Sequence, residues 1–213
     1  ATGLLIGHTG ARDPHGARRA VDTYDAKADA QAVLSAIGAP EKMMVLRGAR
    51  EWWHPGRSGK LSLGPKNVLC AFGEVHPKVL DALDVKGPAV AFAVHVARVP
   101  FPKAKTATRP ALKVSDLQAV ERDFAFVVNA DVEALTLINA AKGADKNLIA
   151  GASVFDVFSG EKAEAQMGEG MKSIAISVRL QPTDATLTDK DIEAVSAKII
   201  DKVSKATGGV LRG

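Results

Sequence analysis

"ASVFDVFSGEKAEAQMGEGMKSIAISVRLQ", residues 152–181, holds two apolar segments joined by an acidic, glycine-containing stretch. Residues 152–160 and 172–181 are short and rich in Val, Ile and Phe, so both read as strands. The stretch between them, 159–171, reads as a loose hairpin loop. Asp156 stands inside the first strand, and Lys172 and Ser173 open the second. Asp156 and Lys172 lie near the ends of adjacent strands, which allows a cross-strand contact, read as a salt bridge pinning the hairpin or as a pair orienting RNA-facing groups.

The segments on either side complete a pattern. "VERDFAFVVN" (120–129) alternates, with Val120, Arg122, Phe124, Phe126 and Val128 on one face. "DVEALTLINAAKG" (131–143) reads as a helix capped by Asp131, with Val132, Leu135 and Ile138 as its stripe. In "TLTDKDIEAVSAKIIDKVSKATGG" (186–209), Thr188 is followed three residues later by Asp191, a capping-box spacing with Asp in place of Glu. Its stripe is Ile192, Val195, Ile199 and Val203, Gly208 and Gly209 stop it, and residues 210–212 form a last short strand. The order is β-α-β-β-α-β, the split ferredoxin-like arrangement, with two helices on one face of an antiparallel sheet and the other face free. Such a face is a frequent seat for single-stranded RNA, although the fold by itself licenses no function.

Upstream, "VPFPKAKTATRPALKVSDLQ" (99–118) has three prolines and no period, and reads as an extended connector. Before it, strands are expected at 3–7, 42–48, 67–75 and 89–99. Helices are expected at 25–38, with Ala28, Val33, Leu34 and Ile37 inward, and at 76–87 with Pro77 in the first turn. The reading is α+β throughout: residues 1–100 form a partial, mainly antiparallel module, 101–114 a basic connector, and 115–213 the ferredoxin-like domain. The chain has no initiating Met and opens on strand-like residues, so an excised piece of a longer protein is expected, without a signal peptide.

Composition bounds the chemistry. The 213 residues are 46% hydrophobic, enough for real cores. No apolar run approaches the roughly 20 residues that cross a bilayer. A single cysteine, Cys70, excludes an intrachain disulfide and reads as a buried strand thiol in a reducing, cytoplasmic setting. The net charge of +4 is uneven: residues 1–113 carry 17 Lys/Arg against 9 Asp/Glu, and residues 114–213 carry 11 against 15. The densest basic patch is Arg98, Lys103, Lys105, Arg109 and Lys113. The acidic balance of the last domain argues against a strong nonspecific grip on a polyanion.

Several motifs are familiar in sequence. "AVERDFAFVV", "ASVFDVFSG", "GEGMKSIAISVRLQPTDATLTDKDI" and "GGVLR" resemble the ferredoxin-fold anticodon-binding domain that closes the beta subunit of bacterial phenylalanyl-tRNA synthetases. "TGLLIG", "VDTYDAKADAQAVL", "HPGRSGKLSLG" and "AFGEVHPKVLDALDVKGPAVAFAVHV" resemble the end of that subunit's catalytic-like module. The family pattern falls on Arg122 and Asp123; on Phe155, Asp156, Val157, Phe158 and Gly160; and on Gly170, Lys172, Ser173 and Ala175. It continues over Gln181, Thr186, Leu187, Thr188 and Asp189, and closes on Leu211 and Arg212. Leu117 and Gln118 stand where the family commonly has an aromatic followed by Pro.

The resemblance implies a heterotetramer with an alpha subunit that carries the aminoacylation site, ATP and Mg. This chain would then need no cofactor or metal of its own and perform no catalysis. The implied partners are tRNA(Phe), through its anticodon region, and the alpha subunit, with neither DNA nor membrane. The residues expected to face RNA are Arg122, Asp156, Phe158, Lys172, Ser173, Arg179 and Arg212. Cationic and hydroxyl donors among them suit phosphates, and an aromatic suits base stacking. Arg122 shares a strand face with Phe124 and Phe126, so either that face is the exposed one or Arg122 snorkels at the end of a buried face. Two other readings compete: a purely structural, subunit-packing module, or an unrelated enzyme built around His8, Asp13 or His54. "WWHPGRSG" (52–59) sets Trp52 and Trp53 beside turn-forming Pro and Gly, and reads as packing in the chain's own core first, then at a subunit interface, then against nucleic acid.

Overall fold

A computed structural model describes residues 1–101, 111 and 114–212. The expected connector falls mainly on 102–110 and 112–113, outside the described residues, as do Lys103, Lys105, Arg109 and Lys113. The chain divides into two compact units, Ala1–Arg109 and Pro110–Gly213.

The N-terminal unit runs β1 (Thr2–Ile6), α1 (Thr23–Ala36), β2 (Met44–Arg47), β3 (Trp53–Leu63), β4 (Asn67–Val75), α2 (Pro77–Ala82) and β5 (Ala89–Val94). The strands form one antiparallel sheet in the order β1-β5-β4-β3-β2. Helix α1 begins with a capping box: the Asp22 carboxylate accepts from the amides of Tyr24 and Asp25, and the Asp25 carboxylate accepts from the amide of Asp22. The Arg19 guanidinium bonded to Asp25 holds that carboxyl below its ordinary range.

The inward stripe of α1 is Ala26, Ala30 and Leu34, and Ala28 and Ile37 are exposed. Small side chains at a spacing of four let the helix lie close on the sheet, where Leu61, Cys70, Phe72, Val90 and Phe92 complete the core. Burial pushes the Cys70 thiol up to about 11, so it stays protonated and inert at neutral pH. The expected strand over 89–99 ends at Val94 and turns through a short 3-10 segment, Val96–Arg98. Trp52 stands in a turn, and residues 53–59 of the "WWHPGRSG" stretch are the start of β3. Its register slips between Trp53 and Ser58, so Pro55 and Gly56 fall where no ladder bond is demanded.

The C-terminal unit runs β6 (Val120–Asn129), α3 (Ala134–Lys142), β7 (Ile149–Phe158), α4 (Glu161–Met167), β8 (Met171–Leu180), α5 (Asp189–Thr207) and β9 (Val210–Leu211). Its antiparallel sheet has the order β7-β8-β6-β9, the ferredoxin-like topology. Two local expectations are corrected. Helix α3 starts at Ala134, because Asn129 first takes the Asp131 amide into a turn at 3.0 Å; its buried residues are Leu137, Ile138 and Ala141, and Leu135 is exposed. The hairpin loop contains helix α4, bounded by Gly160 and Gly168, with Ala163 fully buried. Phe124 and Phe126 are core residues beneath α3 and α5, their rings stacked with centroids 6.4 Å apart.

Helix α5 follows its sequence pattern. Ile192, Val195, Ile199 and Val203 are buried, and Gly208 ends the helix in the left-handed conformation at φ 69°. The Thr188 hydroxyl accepts from the Asp191 amide, and Asp191 accepts from the Thr188 amide at 3.0 Å. Hydrogen bonds from the Thr188 hydroxyl and amide hold the Asp191 carboxyl below its ordinary value. The capping box therefore contributes fully above the ordinary carboxylate pKa and fades as pH falls through the lowered one. Thr188→Ala is expected to cost about 1 kcal/mol at neutral pH. The difference from wild type, measured by urea unfolding, should narrow in acid, once Asp191 is protonated in both proteins. Among the described residues, no helix is long and apolar enough to cross a membrane.

Candidate nucleic-acid interface

Side chains alternate across β6 and β8 and divide the C-terminal sheet into two faces. Phe124, Phe126, Val128, Ile174, Ile176, Val178 and Leu180 point toward α3 and α5 and are buried. Glu121, Asp123, Ala125, Ser173, Ala175, Ser177 and Arg179 point to the opposite face. Two of these are nonetheless buried, Ser173 at 4% and Ala175 at 9% exposure, where α4 packs on β8. The face expected to be free is therefore partly covered, and its accessible part lies toward Arg179.

There, Arg179 sits opposite Glu121 on β6 and Gly151 on β7, and Ser177 sits opposite Asp123 and Ser153. Glu121, Gly151, Ser153, Ser177 and Arg179, with Lys142 from the end of α3, line a concavity of about 290 Å³. A Cβ built on Gly151 meets nothing within 4 Å, so the glycine keeps that wall low. Two cations and two hydroxyls offer donors to phosphate or base edges, and the carboxylate offers an acceptor to base amino groups. So mixed a set suits a specific contact better than a uniform polyanion track.

The expected site residues scatter around this point. Arg122 turns to the helix side and lines a groove of about 450 Å³ with Asp189, Glu193 and Ser196 of α5. Of its two alternatives, the snorkelling arginine at the end of a buried face is the one formed, and two carboxylates in its groove disfavour phosphate there. Lys172 does not meet Asp156. Its ammonium donates to the Ala130 carbonyl at 2.6 Å, and its strand position pairs with Val128. Asp156 is exposed and pairs instead with Ala175, displaced by a bulge after Val154. Phe158 is half-buried opposite the buried Ser173. Arg212 is exposed beside β6, its amide donating to Ala125 at 2.7 Å.

Only Arg179 stands in the concavity, and Asp156, Phe158 and Ser173 cluster at the α4 end. Lys142, Ser153 and Ser177 escaped the sequence reading, because their meeting depends on strand register rather than on a motif. Phe155 also went unchosen, although it is the unpaired residue at the β7 bulge and is 58% exposed. The enzyme alternative finds its residues in short local hydrogen bonds: Asp13 accepts from the His15 amide, and His54, within β3, accepts from the Gly56 amide. Among the described residues, no group of three or more His, Cys, Asp or Glu is placed to hold a metal.

Comparison with known proteins covers both units. Residues 115–212 match the ferredoxin-fold anticodon binding domain family, and residues 1–96 match the phenylalanyl tRNA synthetase beta chain CLM domain family. The chain is 71% identical over 213 residues to a phenylalanine–tRNA ligase beta subunit of Cereibacter sphaeroides, covering 100% of this chain and 26% of that relative. A beta subunit of Ruegeria pomeroyi is 65% identical over 211 residues, covering 99% of the chain and 26% of that relative. One from Paramagnetospirillum magneticum is 50% identical over 215 residues, with coverage of 100% and 26%. The chain thus spans about a quarter of the length of the curated relatives it matches.

Proposed function

The chain belongs to the phenylalanyl-tRNA synthetase beta-subunit family, represented by its CLM and ferredoxin-fold anticodon binding domains, and on that premise we propose that it recognises the anticodon region of tRNA(Phe) and helps assemble the synthetase. The C-terminal unit makes the RNA contact, through the concavity around Arg179. The N-terminal unit packs in the enzyme beside an alpha subunit, in a heterotetramer. The setting is the cytoplasm, and this chain positions its substrate without making or breaking a bond. One observation carries the reading: within the segment that matches an anticodon binding family, the accessible part of the sheet gathers Arg179, Lys142, Ser153 and Ser177.

The second reading, an assembly module with negligible RNA contact, draws on the acidic balance of residues 114–213, 11 Lys/Arg against 15 Asp/Glu. Binding of tRNA(Phe) and a noncognate tRNA across a salt series separates the two. A preference for tRNA(Phe) that persists as salt rises is expected. Arg179→Ala should weaken it about tenfold, on the order of 1–3 kcal/mol for an arginine reading a base. Arg122→Ala and Lys172→Ala should leave it near wild type. Loss in those two variants with Arg179→Ala unaffected would refute the placement, and binding of neither tRNA would favour the assembly reading.

A further inference from the structure

The N-terminal unit carries a second polar concavity, on the sheet face turned away from α1. Lys60, Ala71 and Ala93 are aligned across β3, β4 and β5 on that face, opposite in direction to the core residues Leu61, Cys70 and Val94. They line a cavity of about 300 Å³ completed chiefly by Arg50, Trp52, Trp53, His95 and Arg98. Among the described residues no carboxylate lines it, and none of its three permanent cations is ion-paired. Like charges gathered this way repel one another and raise the local potential for an anion. Burial, then the charges of Arg98 and Arg50, depress the His95 pKa, which keeps the imidazole neutral and able to hydrogen-bond near pH 7.

The cavity is also aromatic. Trp52 is 51% exposed, with the Arg50 guanidinium 5.6 Å from a ring centroid, and Trp53 is buried beside it. A neighbouring cavity of about 490 Å³ shares Trp52, Trp53 and Ala93 and has no charged lining among the described residues. A cation cluster beside an exposed tryptophan, with an uncharged cavity sharing the same two tryptophans, fits a ligand that joins a phosphate to a flat ring. A carboxylate-rich peptide would use the cations and leave the indole and the apolar space unused.

We propose that this pocket binds a nucleotide unit, its phosphate held by Arg50, Lys60 and Arg98 and its base set against Trp52. It lies in the other unit from the Arg179 concavity, so it stands or falls separately from the anticodon reading. Trp52 and Trp53 are the chain's only tryptophans, so their emission reports on this pocket.

The 213-residue chain is titrated with AMP, with single-stranded hexa-adenylate, with adenosine and with hexaglutamate. Saturable change in emission with AMP or with hexa-adenylate is expected, and the tighter of the two identifies a free nucleotide or RNA as the source. Adenosine should bind at least about tenfold more weakly, and Lys60→Glu should raise half-saturation by a similar factor, the loss of roughly one charge-assisted contact. Lys60→Arg should stay near wild type and Arg98→Ala should follow Lys60→Glu, with far-UV circular dichroism verifying each fold. Arg179→Ala should change none of this. Absence of saturation with both nucleotide probes, an equal response to adenosine, or hexaglutamate binding as tightly as hexa-adenylate would overturn the proposal.

Discussion

Phe126→Ala is expected to destabilise the C-terminal unit by about 3–5 kcal/mol, the range for emptying a fully buried aromatic site. Phe126 has 0% exposure and lies where β6 meets β8, opposite Ile174, with Phe124 stacked beside it and α3 and α5 above. A ring at the centre of three elements leaves a cavity that no single side-chain rotation can fill. Both tryptophans lie in the N-terminal unit, so their emission follows that unit, and far-UV circular dichroism follows both. The expected result in urea is an early loss of dichroism in the variant without a matching early change in tryptophan emission. Coincident transitions at the wild-type midpoint would show that the core is not organised around this ring.

Gly73→Ala should act on the other unit, with a cost of about 3 kcal/mol or more from combined steric overlap and backbone strain. Gly73 has φ 145°, and a Cβ there would lie 2.5 Å from both the Arg57 carbonyl oxygen and the Ser58 Cα. These are backbone atoms of the irregular part of β3, which cannot swing aside as a side-chain tip can. Separating β3 from β4 would also disturb the neighbouring Arg57–Glu74 ion pair, now at 2.7 Å. Here the early transition should appear in tryptophan emission, since Trp53 pairs with Val75 at the end of the same ladder. A wild-type midpoint for Gly73→Ala would contradict the close approach of these strands.

How far the sequence disclosed this arrangement depended on which forces wrote it. Helix α5 was legible because Ile192, Val195, Ile199 and Val203 differ sharply from their polar neighbours and Thr188 and Gly208 mark its ends. Helix α1 buries alanines, which sit equally well on either face, so Ala28 could not be told from Ala26 and Ala30 by hydrophobicity. Strand β3 was masked by Pro55 and Gly56, whose effect a bulge absorbs, and α4 by an acidic composition that also suits a loop.

The same limit governs the site. The alternation of β6 put Arg122 with Phe124 and Phe126, but deciding which side the helices cover required the packing of α3 and α5. Once they are in place, the cationic residue beside hydroxyls is Arg179, one strand over, and Lys142 joins it from a helix end. Residue patterning supplied the topology, the resemblance supplied the family, and register supplied the neighbours.

The central claim is that RNA meets the C-terminal unit on the face away from α3 and α5. The most direct measurement is the map of backbone amide chemical-shift changes when the isotope-labelled chain is titrated with the anticodon stem-loop of tRNA(Phe). The account predicts the largest changes at residues 151–153 and 177–179 and at Glu121. Changes centred on the Arg122 groove of α5, or none within the C-terminal unit, would contradict it.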